Sequence, residues 1–274
     1  MNAPAIQPRP RVVIVDGVPM SALVAEAPRP RAVVLALHGG GTTSAYFDCP
    51  GHPVLSLLRL GASLGFTVVA LDRPGYGSSA PYAEALALPE QRVRLAYGAV
   101  DRIVGQWPGG AGLFVVAHSN GCELALRMAA DERGAELLGI EMAGTGRHYH
   151  PAARDVLKHA SPTHRPPGLG DLLWHPAELY PPDVLGGIVK AATGAPYEAA
   201  MVTSWPRTDF PVVAAQVRVP VQFSVADHEK VWQSIRRRWP RSPRCSPRHP
   251  DSSSTNNPLP DTISALGTRP RRIT

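Results

Sequence analysis

Residues 112–130 read GLFVVAHSNGCELALRMAA, an apolar run that meets a helix-forming stretch through the turn Ala117-His118-Ser119-Asn120-Gly121. Cys122, Ala125, Leu126 and Ala129 recur at i, i+3, i+4 and i+7, so they form one apolar stripe, with Glu123, Arg127 and Asp131 at i+4 spacing on the other face. Ser119 therefore stands on a sharp strand-to-helix turn. Such a turn needs small residues two before and two after the serine, because the backbone passes close by, and Ala117 and Gly121 meet that need. The geometry lifts the hydroxyl out of the sheet and sets it over a helix N-terminus, where the dipole and free N–H groups favour developing negative charge. A helix N-cap serine is the plainer reading. Strand, small residues and helix in register together favour a nucleophile.

Outward from this segment, apolar strands and helices alternate. AVVLAL (32–37) runs into a glycine turn, VLSLLRLGASLG (54–65) is helical and closes on Gly65, and FTVVAL (66–71) is a second buried strand that ends in DRPGYGSS. A helix follows around 89–105, and ELLGIEMAG (136–144) and VPVQFSV (219–225) are further strands. Residues 11–15 and 20–25 flank Asp16-Gly17 as an edge hairpin. Continuous β-branched runs between helices imply an α/β fold, a mostly parallel sheet with helices on both faces. Residues 147–215 break the pattern, being rich in Pro, His and Trp with helix-like pieces around 184–192 and 196–204, and suggest a helical cap insertion over the mouth of the fold. The expected organisation is a core of 1–146 and 216–234, a cap of 147–215, and a basic disordered tail of 235–274.

His38-Gly39-Gly40-Gly41 directly follows the first buried strand. A glycine turn at a strand's carboxyl end frees N–H groups toward the same mouth as Ser119, and the N–H groups of Gly40 and Asn120 would then hold an oxyanion. In this order, AVVLALHGGGTTSAYFD, FTVVALDRPGYGSS, the AHSNG elbow and VPVQFSVADHEKVW resemble the α/β-hydrolase family over residues 11–234 outside the cap. The resemblance implies a serine hydrolase, esterase-like, acting on an ester or similar carbonyl of a small organic molecule, with no cofactor and no metal. Ala117 stands where the family's G-x-S-x-G has its first glycine, a mild steric change. DRPGYG reads as turn chemistry. The triad acid is expected after VPVQFSV, and Ala226 aligns with the glycine of the family's G-x-x-D. Glu229 is thus the first choice for the acid, with Asp227 as the alternative. Serine at 119 departs from the dehalogenase branch, which carries aspartate there.

The family also implies a histidine base after a final strand, roughly 25–35 residues past the acid. After Glu229 the sequence has only His249, inside SPRHPDSSS. The last strand and helix are missing from the pattern too. Residues 235–274 hold nine Arg, no Lys and two Asp, with seven Pro, against 19 basic and 20 acidic groups in the other 234 residues. The whole basic excess therefore lies in the tail, and the body offers no basic face for nucleic acid. Shifting the reading frame by one nucleotide from Pro260 allows a glycine-histidine pair followed by a helix-forming run, so a frameshift near Ser234 accounts for composition, lost periodicity and missing base together. The alternatives are a catalytically impaired hydrolase-fold protein without its triad histidine, and a non-catalytic ligand binder. No apolar run approaches the roughly 20 residues of a membrane span, no signal-peptide pattern opens the chain, and three cysteines form no metal-type cluster. A cytoplasmic protein without membrane or nucleic-acid partners is expected. His148, His150, His159 and His164 match no common ligand spacing. Trp174, Tyr180, Trp205 and Phe210 are expected to line a pocket, and Cys122 to pack.

Overall fold

The structure, a computed structural model, describes residues 6–105, 110–158, 166–188, 192–233 and 272–273. It opens with a hairpin of β1 (Arg9–Val15) and β2 (Val18–Ala25), turned by Asp16 at φ 50° and Gly17 at φ 79°. Two successive positive φ values match the right-handed strand twist, which is why an Asp-Gly pair sits there. Along β2 every second residue from Val18 to Val24 is buried, the period of a strand with one face in the core.

The parallel part comprises β3 (Val33–Leu37), β4 (Thr67–Leu71), β5 (Leu113–His118), β6 (Leu137–Ala143) and β7 (Val221–Ser224). With a two-residue antiparallel strand, β8 (Arg272–Ile273), the sheet order is β1-β2-β4-β3-β5-β6-β7-β8. β4 is buried at every position, as a strand covered on both faces must be. One cover is α1 (Leu57–Ser63), on which Leu58 and Ala62 meet Ala36, Val68 and Ala70. The helix is shorter than the expected 54–65 because Pro53–Leu55 forms a separate 3-10 turn and the Ser56 hydroxyl caps α1 by accepting from the Arg59 N–H at 3.2 Å. The other cover is α2 (Pro89–Val104) and α3 (Gly121–Ala130), packed against Leu35, Leu71, Val115 and Ile140.

Between β6 and β7 lie α4 (Pro151–Leu157), α5 (Leu169–Leu173), α6 (Pro182–Ile188), α7 (Tyr197–Ser204), a π-helical turn (Trp205–Asp209) and α8 (Phe210–Ala214). The end of this stretch enters the main core: Met201, Trp205 and Val213 join its cluster beside α3, and Asp209 pairs with Arg127 at 3.0 Å. Trp205 and Phe210, expected to line a pocket, instead meet edge to face at 5.7 Å within this packing. The polar face of α3 differs likewise from a solvent face. Glu123 is buried, and its carboxylate accepts from Arg92 of α2 at 3.1 Å and from Arg127. The charge stays inside because two guanidiniums surround it. The expected frameshifted tail lies outside the described residues apart from 272–273, as does His249, and among the described residues no helix follows β7.

Candidate active site

Every parallel strand delivers its carboxyl end to the same rim of the sheet. At the end of β5 the chain turns into α3 through Ser119, at φ 51°. A non-glycine residue there carries strain, and the surroundings hold it. The Ser119 N–H donates to the Ala143 carbonyl at the end of β6 at 2.8 Å, and its carbonyl accepts from the Cys122 N–H at 2.9 Å. The small flanking residues have a direct steric cause. Ala117 is fully buried. A Cβ on Gly121 would lie 2.7 Å from the His38 carbonyl oxygen and closer still to that of Leu37, so α3 starts in backbone contact with the end of β3.

That contact sets the glycine turn beside the serine. A Cβ on Gly39 would stand 3.1 Å from Ser119 Cβ, and one on Gly40 would stand 2.6 Å from Asn120 Nδ2. Gly39 and Gly40 thus abut Ser119 and Asn120, the four residues that the sequence pointed to from two separate motifs. Glu229 and Asp227 follow β7, two strands away from β5 in the sheet. Glu229 Oε1 accepts from the N–H groups of Val231 (2.7 Å) and Trp232 (3.0 Å), while Asp227 is exposed. The segment carrying Glu229 then pairs with the residues after β6: His150 N–H donates to Val231 O, Gln233 N–H to His148 O, and the Tyr149 and Trp232 rings stack at 4.5 Å.

Two described histidines, His38 and His118, adjoin the glycine turn, and each has contacts of its own. His38 is fully buried; its Nε2 accepts from the Arg73 N–H at 3.0 Å, so Nδ1 bears the proton and donates to the Gly39 carbonyl at 2.8 Å. Burial, then the Arg73 charge, holds its pKa well below the usual imidazole range. His118 stacks on Tyr46 with ring centroids 5.1 Å apart, and burial lowers its pKa to about 4. His150 Nδ1 caps α4 by accepting from the Ala152 N–H, and His228 is exposed on the loop of the acid candidates. His159 and His164 lie outside the described residues. Among the described residues no group of three or more His, Cys, Asp or Glu is placed to hold a metal ion. Cys122 is buried with its thiol directed at the Ala117 and Ala143 carbonyls, and burial raises its pKa well above the ordinary thiol value.

Sequence reading missed the residues behind the glycine turn. DRPGYG does form a turn: Asp72 accepts from Ser44 N–H at 2.7 Å and from the Ser21 hydroxyl at 2.6 Å, and Ser79 Oγ accepts from the Gly75 N–H. It also places Arg73 and Tyr76 beneath Gly39-Gly40-Gly41, where both meet Glu198 of α7. Glu141 on β6 was missed as well. It is 4% exposed, and burial, partly offset by the Ser224 hydroxyl, raises its pKa to about 7.

The alpha/beta hydrolase family model matches residues 33–254. The chain belongs to the alpha/beta hydrolase family. Its architecture is similar to that of a membrane phospholipase A described as a bacterial virulence factor, with a TM-score of 0.56 and 18% identity over 79% of this chain and 69% of the other. The Cif epoxide hydrolase from Acinetobacter nosocomialis matches with a TM-score of 0.57 and 15% identity over 84% of this chain and 76% of that one. The N-acyl homoserine lactonase AidH gives 0.52 and 16%, covering 79% and 77%. At such identities the likeness is one of fold. Among curated proteins none matches the chain. Among the described residues of this hydrolase-family chain, no helix is long and apolar enough to cross a membrane.

Proposed function

We propose that the chain is a serine hydrolase in design, built to attack an ester or similar carbonyl of a small organic molecule. Ser119 Oγ would add to the carbonyl carbon, the N–H groups of Gly40 and Asn120 would hold the oxyanion, and Glu229, or Asp227 in its place, would orient a histidine that takes the serine proton and returns it to the leaving group. Residues 147–215 would form the cap that selects the substrate. The observation that carries this reading is Ser119 held at φ 51° against the backbone of Gly39. Strain kept at a serine between a strand and a helix, with glycines packed against it, is the arrangement that exposes a nucleophile beside N–H donors. The reading needs no cofactor and no macromolecular partner, and a cytoplasmic setting suits it.

A second reading rests on the histidines. Both nitrogens of His38 are engaged and the His118 ring is stacked on Tyr46, so neither is arranged as a base for Ser119. If the tail from about Ser234 is out of frame, the triad histidine is lost, and what remains is an impaired hydrolase or a ligand-binding protein. Losing one triad member typically costs about 10⁴ to 10⁶ in rate.

Hydrolysis of a short p-nitrophenyl ester by the purified chain, beside Ser119→Ala, tests the first reading. Turnover that the alanine variant loses supports it. Equal rates from two folded proteins sink it for this chain and favour the second, which sequencing of the gene across codons 225–274 then examines through the reading frame.

A further inference from the structure

The carbonyl of Gly39 is held by three side-chain donors: His38 Nδ1 at 2.8 Å, Thr42 Oγ1 at 3.1 Å and Arg73 Nη2 at 3.1 Å. A trans peptide is planar, so fixing that carbonyl on one side leaves the Gly40 N–H on the other. Between two residues without side chains such a plane could rotate readily; here it is pinned. Arg73 acts on it twice, since its backbone N–H fixes the His38 tautomer that donates to Gly39 and its guanidinium donates to the same oxygen.

Arg73 is 1% exposed and would be an isolated buried cation without Glu198, which comes from α7 and is itself buried. Glu198 spans the whole turn. Its Oε1 meets Arg73 Nη2, and its Oε2 accepts from the Tyr76 hydroxyl at 2.6 Å. The Tyr76 oxygen in turn accepts the N–H groups of Gly41 at 3.0 Å and Ala195 at 3.3 Å. The neighbouring Tyr197 donates to the Pro74 carbonyl at 2.6 Å, so the start of α7 is fastened to the loop after β4 at two points.

We infer that Arg73, seated by Glu198, is a positioning residue that aims the Gly40 N–H at the oxyanion formed on Ser119 attack, so that the docking of α7 sets the oxyanion hole. This rests on the serine-hydrolase reading above. Electrostatics alone predicts the opposite sign for one variant. Oε2 of Glu198 lies 3.1 Å from where a Cβ on Gly40 would be. Neutralising a carboxylate so near a developing oxyanion, with the arginine kept, would by charge alone speed the reaction.

The experiment uses the full chain and the variants Glu198→Gln, Arg73→Lys and the milder Thr42→Val, each checked for folding by circular dichroism. Steady-state kinetics on a p-nitrophenyl ester are paired with NMR of protein labelled with ¹⁵N-glycine. The expected result is a kcat lower by about 10- to 100-fold in Glu198→Gln and Arg73→Lys, with KM within about threefold, a smaller fall in Thr42→Val, and a displaced Gly40 amide resonance in all three. An unchanged or raised kcat in folded Glu198→Gln overturns the inference, and so does a Gly40 resonance that stays in place in Arg73→Lys and Thr42→Val. If the wild-type chain itself shows no serine-dependent turnover, the hydrolase reading is what has failed, and the Gly40 resonance alone decides whether these side chains set that peptide.

Discussion

Ser119 carries its strain without help from its own chemistry: a left-handed backbone at a residue with a Cβ costs about 1–3 kcal/mol, while each of its two backbone hydrogen bonds returns about 1 kcal/mol. Replacing it by glycine should therefore stabilise the fold by about 1 kcal/mol, after glycine's entropy of roughly 0.5–1 kcal/mol is subtracted, and abolish hydrolysis. Ser119→Ala keeps the Cβ and should unfold at nearly the wild-type urea concentration. Equal midpoints for the glycine and alanine variants would mean that the strain is no larger than glycine's entropic cost, and a lower midpoint for glycine would show the turn to be unstrained. Gly121→Ala acts the other way. Its Cβ would meet backbone carbonyls of Leu37 and His38, which cannot swing aside as a side chain can, so a loss of about 3 kcal/mol is expected in the same urea assay. Ser119, Ala117 and Gly121 were legible because their constraint is local, a serine between small residues where a strand period gives way to a helix period. Arg73 and Glu198 were not, since 125 positions separate them and each looks like an ordinary surface residue until the fold brings them together.

Helix α3 shows the same limit at the scale of an element. Its apolar stripe was readable from spacing, and Leu126, Ala125 and Cys122 are buried. Its charged stripe has an identical signature whether it faces water or two arginines, and only the neighbours decide. Glu123 links α2, α3 and the turn before α8 through Arg92, Arg127 and Asp209. Removing it leaves the buried Arg92 guanidinium uncompensated, so Glu123→Ala should cost about 3–5 kcal/mol, whereas Arg92→Met combined with Glu123→Met should cost much less than the sum of the single changes. A double-mutant cycle by urea unfolding measures this, and additive losses would mean that the pair contributes nothing specific. The strands β1 to β7 and helices α1 to α3 were legible as runs of fixed period. The pieces between β6 and β7 were less so. Helices of five to eight residues, several opening on proline, have too few turns for a period to register, and they form because tertiary contacts hold them.

Over the whole molecule, the buried titratable groups pull stability in opposite directions with pH. His118 and His38 are neutral in the fold. An unfolded histidine binds its proton below about 6.5, so these two add stability as pH rises, for His118 across the interval from about 4 to 6.5. Glu141 does the reverse. Its folded pKa of about 7 lies above the unfolded value of 4.5, so the fold keeps a proton that the unfolded chain releases, and stability is lost as pH climbs through that window. The two trends overlap between about 4.5 and 6.5 and partly cancel, which makes the wild-type profile shallow there. Glu141→Gln removes one of them. Below pH 4.5 glutamine and a protonated glutamate are near-equivalent, so whatever the amide costs in that site appears there as a fixed offset. From that point to pH 7.5 the variant should gain on the wild type by about 3 kcal/mol, the free energy of a shift of about 2.5 pKa units at 1.36 kcal/mol each. Urea midpoints of both proteins at pH 4.5 and 7.5 measure the gain. A difference that stays constant between the two pH values would mean that Glu141 ionises in the fold as readily as in water.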